Sequence, residues 1–237
     1  MSVIFKTRSP LLERMDVETW DAAAIAPVLR NLETINHWLG GVRATLWHFR
    51  RFAKRWKPGA VVRVLDWGTG GADVPRALAA WGRRRGFDLR VTGLDQDAAI
   101  VEYARAACAA YPGIRIVQTK AENFQASAGS FDYAMSSLTL HHLADGAIAD
   151  LLRASDRLAR RGIVMNDLRR SARAWVWIWL LSRAARCHPM VRHDGPLSVR
   201  RAFTAAELAA LAQKAGASYL RVHAHFGHRL VLAGEKA

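Results

Sequence analysis

Two aspartates bracket a glycine-rich run at 66–73, Asp66-Trp67-Gly68-Thr69-Gly70-Gly71-Ala72-Asp73. An apolar run at 61–66 precedes it and a helix-length amphipathic stretch at 73–85 follows it. That is the context in which such a turn cradles a nucleotide. Gly68 and Gly70 permit a sharp bend and let ligand atoms approach the backbone around Thr69. The amides that open the next helix face the same ligand. Two details select the ligand. A dinucleotide turn reads G-x-G-x-x-G, whereas the last position here is Asp73, a carboxylate that would repel a pyrophosphate. Asp66 directly precedes the turn, where it could accept hydrogen bonds from an ammonium group.

A cationic, phosphate-free nucleoside is therefore expected, and S-adenosylmethionine, with its ammonium and sulfonium, fits. Asp73 serves equally well as a favourable charge in a first helical turn. Asp95-Gln96 closes the second apolar run, 25 residues after Gly70. An acid there can take both hydroxyls of a ribose.

Leu65-Asp66-x-Gly68-x-Gly70 resembles the first motif of class I S-adenosylmethionine-dependent methyltransferases, with Ala72 where the family's third glycine is common. The resemblance implies that Asp95 takes the ribose and that the segment after the third strand meets the adenine. Relatives read Asp-Ala-x-x-Leu there. This chain reads Lys120-Ala121-Glu122-Asn123-Phe124, and a lysine offers no acceptor, so the Ala121 amide and Glu122 are the candidate contacts. Ser137 ends the fourth strand at the same crevice. The Phe131-Asp132…Leu140-His141-His142-Leu143 pattern is similar to ubiquinone and menaquinone methyltransferases. The segments 166–171 and 192–198 extend the likeness to bacterial methyltransferases of quinone, phenol or polyketide-type metabolism.

Methyl transfer from a sulfonium is an in-line displacement from an already activated donor, so the protein must mainly align the acceptor and exclude water. A hydroxyl acceptor also needs its proton removed. His142 and His141 are the expected bases by position, and Asp167, closing the fifth strand, could orient a histidine or contact the acceptor. A strand-end cap or a helix N-cap explains these residues as well. The segment 169–203 is a helical insertion without an acid between Arg169 and Arg192. It reads as a core helix, as a lid over the acceptor, or as a basic helix touching a membrane surface. Trp175, His188 and His193 are its candidate acceptor contacts. Trp20, His37, Trp38, Trp47 and His48 from the N-terminal helices would complete that pocket. No bound metal is expected, although His141, His142, Asp167 and His193 keep one open.

These residues need a scaffold that delivers strand ends to one crevice. Apolar runs at 61–66, 89–94, 114–118, 131–136 and 162–166 alternate with helical stretches at 73–85, 97–110 and 144–159, the pattern of a parallel sheet with right-handed crossovers. Two further runs, 219–225 and 228–232, joined near Gly227, allow only an antiparallel pair. The expected fold is α/β: a Rossmann-like seven-stranded sheet, mostly parallel with an antiparallel C-terminal hairpin, with helices on both faces. Residues 1–58 (helices at 21–39 and 42–56) are expected as an N-terminal helical cap and 59–237 as the cofactor-binding domain.

At 237 residues and 51% hydrophobic the chain can bury one sizeable core. Two cysteines without CxxC spacing suit a reducing compartment, and the first residues lack an apolar signal segment, so a cytoplasmic location is expected. The net charge of +15 raises polyanion binding. Its 29 arginines are scattered in short clusters rather than gathered in a tail, which disfavours nucleic acid as the partner. The expected function is methyl transfer to a small aromatic or lipophilic acceptor, at oxygen rather than carbon. An RNA methyltransferase or a non-catalytic cofactor-binding relative are the alternatives.

Overall fold

A computed structural model describes residues 5–236. Seven strands form one sheet: β1 (Val61–Trp67), β2 (Asp88–Asp95), β3 (Ile114–Gln118), β4 (Phe131–Ser137), β5 (Ala159–Leu168), β6 (Arg221–His225) and β7 (Arg229–Glu235). Their order is β3-β2-β1-β4-β5-β7-β6. All neighbours are parallel except β7, which runs antiparallel to both β5 and β6. The strand order reverses between β1 and β4, the switch point at which α/β sheets open a crevice beyond the strand ends.

Period-two alternation places neighbouring residues of each strand in opposite cores. Leu65, Ala134, Ile163 and Leu232 pack beneath α6 (Asp145–Leu158) and α9 (Ala205–Lys214). Val64, Tyr133, Val164 and Val231 pack beneath α3 (Gly41–Phe52) and α4 (Asp73–Arg84). The remaining helices are α1 (Arg14–Val17), α2 (Ala22–Trp38), α5 (Ala98–Ala107), α7 (Ala172–Ala184) and α8 (Pro189–Arg201). Local signals start several of them. Asp21, Asp97 and Ser171 accept from the backbone N–H three residues on, and Thr204 with Glu207 closes a capping box.

The sheet and its hairpin agree with the sequence reading, but the N-terminal helices divide differently. Phe52 stacks on Tyr133 at 5.2 Å, and the Trp56 indole N–H donates to the Tyr133 hydroxyl at 2.9 Å. The expected boundary at residue 58 therefore falls inside a continuous core, and α3 belongs to the sheet. Only α1 and α2 sit over the crevice, where α2 meets α5 and α8. The insertion is two helices, α7 and α8, which pack on each other rather than forming one flap. Gly227 explains the tight end of the hairpin. A side chain there would lie 1.8 Å from the Leu39 carbonyl oxygen, so only glycine lets the turn close on the end of α2.

Trp47 and His48 do not reach the crevice as expected; they face the hairpin. The His48 and His225 Nε2 atoms are 3.1 Å apart, so one ring donates and the other accepts, and His223 packs alongside at 4.8 Å between centroids. Burial, and then the neighbouring His223, His225 and Arg51, push the His48 imidazole down to about 3. An unfolded histidine titrates near 6.5, so between about pH 3 and 6.5 the unfolded chain holds a proton that His48 lacks. This contribution is fully present above pH 6.5 and is lost as pH falls through that window. Comparison of wild type with His48→Phe by urea unfolding should show their stability difference rising by about 1.4 kcal/mol per pH unit from pH 4 to 6. A difference that stays flat over that range would contradict the burial of a neutral imidazole.

Candidate active site

One cavity of about 1170 Å³ opens at the carboxyl ends of β1, β2, β4 and β5. Its first end is built by the turn after β1. Gly68 and Gly70 have positive φ (62° and 52°), and Ala72 occupies the same left-handed region at 56°. A side chain on Gly68 would meet Thr139 at 2.6 Å, while one on Gly70 would meet nothing within 4 Å, which marks the open face of the cradle. The Ala72 conformation is the one in which a glycine is cheapest, and its buried methyl packs with Val101 and Ile116 instead. Asp95 ties this turn to β2, accepting from the Gly70 and Asp97 amides at 3.0 and 3.2 Å.

Of the expected cofactor contacts, Gly68, Thr69, Gly70, Asp73, Asp95, Gln96, Ala121, Glu122 and Ser137 all line the cavity. The Ser137 hydroxyl is buried without a partner, ready for a ligand. Asp66 does not line it. Its Oδ2 accepts from the Thr69 hydroxyl at 2.7 Å beneath the turn, and burial pushes its carboxyl up to about 8. The reason is strand register: Asp66 precedes the bend and points under it, so the direct carboxylate on this wall is Asp73. Asp73 accepts from the Asn36 side chain at 2.7 Å, and burial raises its carboxyl as well. Burial likewise raises Asp95. A cationic ligand beside these raised acids favours their ionised forms.

The second end lies between α2, α7, α8 and the turn after β4, a 3-10 turn at Leu140–His142. Leu138, entering it, holds a positive φ of 60°, rare for a branched residue. His141 is buried. Its Nδ1 sits 2.7 Å from Asp167 Oδ1, and its backbone N–H donates to Asp167 Oδ2 at 3.0 Å. Asp167 itself lies behind the histidine, off the cavity wall. Burial opposes its charge, but His141 and two backbone amides hold its carboxyl below the usual range. The His142 Nδ1 is 2.8 Å from Asp16 Oδ1. Burial opposes the His142 cation, yet Asp16, Glu13 and Asp167 raise it overall, and Asp16 is correspondingly lowered against its own burial.

Trp175, His188 and His193 are not in the cavity wall. His188 caps α8 by accepting from the Met190 amide, and His193 is exposed with its Nδ1 on Asp194 at 2.7 Å. Trp175 stacks on Trp179 away from the cavity. In α7 the inward stripe is Ala174, Ile178 and Ser182, and this rotation turns Trp177 to the mouth instead. Two residues that sequence reading missed, Glu13 and Asp16, come from the N-terminal segment and face the histidines. No periodic signal marks them. Their position depends on Asp194, which accepts from the Arg14 and Met15 amides at 3.0 Å each, and on Arg201. A signal for those two existed: Asp194, Ser198 and Arg201 share one buried face of α8.

A crevice at the switch point, a left-handed glycine turn and a strand-end acid on β2 are the parts of a nucleoside-binding site in an open α/β sheet. Residues 64–162 match the family described as a methyltransferase domain. No protein of curated function matches the sequence. Among solved structures, this chain is similar to an S-adenosylmethionine-dependent methyltransferase from Aquifex aeolicus (15% identity, 92% of this chain and 100% of that one, TM-score 0.57). It is also similar to magnesium protoporphyrin IX methyltransferase from Synechocystis with bound S-adenosylhomocysteine (13%, 84% of each, TM-score 0.54). Human N-acetylserotonin methyltransferase with S-adenosylmethionine is a third (14%, 92% of this chain and 57% of that one, TM-score 0.61). At these identities the likeness is one of fold. Residues 64–162, the stretch that carries the turn and the crevice, match a methyltransferase domain, and the sheet around them has the fold of S-adenosylmethionine-dependent methyltransferases, which points to S-adenosylmethionine as the cofactor for this crevice.

The open Gly70 cradle and the unpartnered Ser137 hydroxyl fit that cofactor. Bound there, it supplies an activated methyl group. With two ribose hydrogen bonds worth roughly 1 kcal/mol each, Asp95→Ala should weaken cofactor binding tenfold or more. Calorimetry giving an unchanged affinity would refute the ribose assignment.

Proposed function

We propose that this enzyme methylates a hydroxyl oxygen on a small aromatic or lipophilic acceptor. The observation that carries this reading is the continuity of the cavity. At about 1170 Å³ it exceeds the range of a single small-molecule site and so has room for a second ligand beside the cofactor. Its second end is walled by apolar side chains of α2, α7 and α8, among them Leu32, Ile35, Ile178, Leu181 and Val199, and terminates at Glu13, His141 and His142. The apolar walls hold and align the acceptor and keep water out. The polar end favours oxygen over carbon, because a hydroxyl must lose its proton as the methyl group arrives. Asp167 orients His141 through Nδ1, which leaves Nε2 free on the cavity side.

The expected base is His142 with its Asp16 partner, or His141 beside it. In an assay with labelled cofactor against phenols, quinols and transfer RNA, turnover is expected with a phenol or quinol. His142→Ala should cut turnover at least tenfold and leave cofactor affinity within about twofold, since proton transfer is worth 10²- to 10⁴-fold and the ring lies away from the nucleoside. Methylation of transfer RNA alone would overturn the reading, and equal turnover in the variant would remove His142 from it.

The route of a lipophilic acceptor belongs to the same reading. The outer face of α7 is apolar, with Val176 46%, Trp177 56% and Leu180 48% exposed, and Trp177 borders the cavity. Arg173, Arg183 and Arg186 flank it. Nearby Phe226, 73% exposed, borders the same opening. An apolar stripe with a basic rim suits an anionic bilayer surface. No described helix is long and apolar enough to cross a membrane. Co-sedimentation should be strong with vesicles containing phosphatidylglycerol, weak with phosphatidylcholine alone, and lost in Trp177→Ser/Leu180→Ser. Binding that ignores both lipid charge and the double substitution would reject the contact.

A further inference from the structure

The polar end of the cavity carries more donor atoms than a proton acceptor needs. Glu13, His141 and His142 each present one ligand-type atom, all within 4.8 Å of one another. The His141 Nδ1 is engaged by Asp167 at 2.7 Å and the His142 Nδ1 by Asp16 at 2.8 Å, so Nε2 is the free nitrogen of each ring. The His141 Nε2 lies 3.6 Å from Glu13 Oε1. Glu13 is 3% exposed, and that oxygen has no hydrogen-bond partner. A carboxylate behind each ring is the arrangement that fixes the tautomer and orientation of a metal-ligating imidazole.

Charge points the same way. Glu13, Asp16 and Asp167 bring three carboxylates together. Among the described residues one guanidinium lies within 4 Å of them, Arg201, at 3.6 Å from Glu13 and 3.8 Å from Asp16. Arg229 acts on Asp167 from further off and shares its charge with Asp73. Three carboxylates against one guanidinium leave negative charge at a largely buried place, which is costly. One divalent cation between the rings balances the charge and satisfies the orphan oxygen.

We propose that Glu13, His141 and His142 bind a zinc-like divalent cation at the acceptor end of the cavity. Two imidazoles and one carboxylate suit zinc or a neighbouring first-row ion rather than magnesium or calcium, which take oxygen ligands. A tetrahedral ion about 2.1 Å from each ligand needs donor atoms roughly 3.4 Å apart. The 3.6 Å His141–Glu13 gap is within a few tenths of that. Three protein ligands leave a fourth position, and all three residues line the cavity. The role of this position rests on the hydroxyl-methylation reading and changes the part the histidines play in it: with Nε2 on the ion they are ligands rather than bases, and an acceptor oxygen held at the ion loses its proton more readily without them. The O–H bond breaks and its proton passes to solvent. The oxygen then bonds to the methyl carbon as the carbon–sulfur bond breaks, giving a methyl ether and S-adenosylhomocysteine.

The binding itself is tested without any acceptor. The full-length chain, free of a polyhistidine tag and stripped by a chelator, is titrated with Zn²⁺ in competition with a chromogenic chelator, and bound zinc is counted by elemental analysis. The expected result is about one equivalent. Glu13→Gln should bind at least tenfold more weakly, and the exposed His193→Asn should match wild type. Unchanged circular dichroism and cofactor affinity in Glu13→Gln separate loss of a ligand from misfolding. Should that variant misfold, His142→Asn, at a partly exposed ring, carries the same expectation. Less than about a tenth of an equivalent in wild type, or equal affinity in wild type and the Glu13→Gln/His142→Asn double variant, overturns the site. Failure to find a methylated phenol would sink the hydroxyl reading and leave the metal site standing.

Discussion

The second end of the cavity depends on guanidinium groups that donate to backbone carbonyls. Arg201, on α8, donates to the carbonyls of His141 and His142 at 3.1 and 3.0 Å, and to that of Leu11. Arg8 reaches the other way, to the carbonyls of Arg201 and Leu143 at 2.7 and 2.9 Å. Arg170 anchors the start of the same segment through Phe5 and Lys6. The segment before α1 has little regular structure, so its carbonyls must find partners elsewhere. A guanidinium, with several donors in one rigid plane, can serve two or three at once. The result is a strap fixed across the turn after β4. Glu13 and Asp16 reach the two histidines because that strap is bolted down, and Asp194 locks its far end through the first amides of α1.

The cavity therefore joins two constructions with different physics. Its cofactor end is made from strand ends and a left-handed turn, where backbone geometry sets the cradle and a few acids tune it. Its second end is made from helices and a strap, where buried polar pairs hold apolar walls apart. The boundary falls at Ser137–His142, beside the point where strand order reverses. Leu138 holds its uncommon backbone conformation there, with its amide donating to the Asn166 carbonyl at 2.9 Å. Strained residues kept in place by neighbouring structure are common where ligands meet.

How much of this was legible in the sequence follows from the range of the interactions involved. The strands, the glycine turn and Asp95 are local signals, and they lie where the sequence places them. Ala72 shows a motif position surviving a residue change: the left-handed conformation remains, and its methyl fills a small core. Three features were not legible. Asp66 reads as a wall residue, but a one-residue difference in register puts it beneath the turn. Trp175 and Trp177 are equivalent to any periodicity argument, and only the packing of Ile178 and Ser182 decides which one faces the opening. Glu13 meets His141, and Asp16 meets His142, across more than 120 residues of chain. The contacts exist because Arg201 and Asp194 recur on one face of a distant helix. The assignment of α3 to a cap failed for a similar reason, since its partners Tyr133 and Trp56 become neighbours only when the sheet forms.

The central claim is that one continuous cavity holds the cofactor on the turn after β1 and presents its sulfur toward the strap. A crystal structure with S-adenosylhomocysteine tests it most directly. The account predicts the ribose hydroxyls on Asp95, the amino acid portion over Gly68–Gly70, and the sulfur facing the space bounded by Glu13, His141 and His142. A nucleoside bound with its sulfur turned away from that space, or held without Asp95, would contradict it.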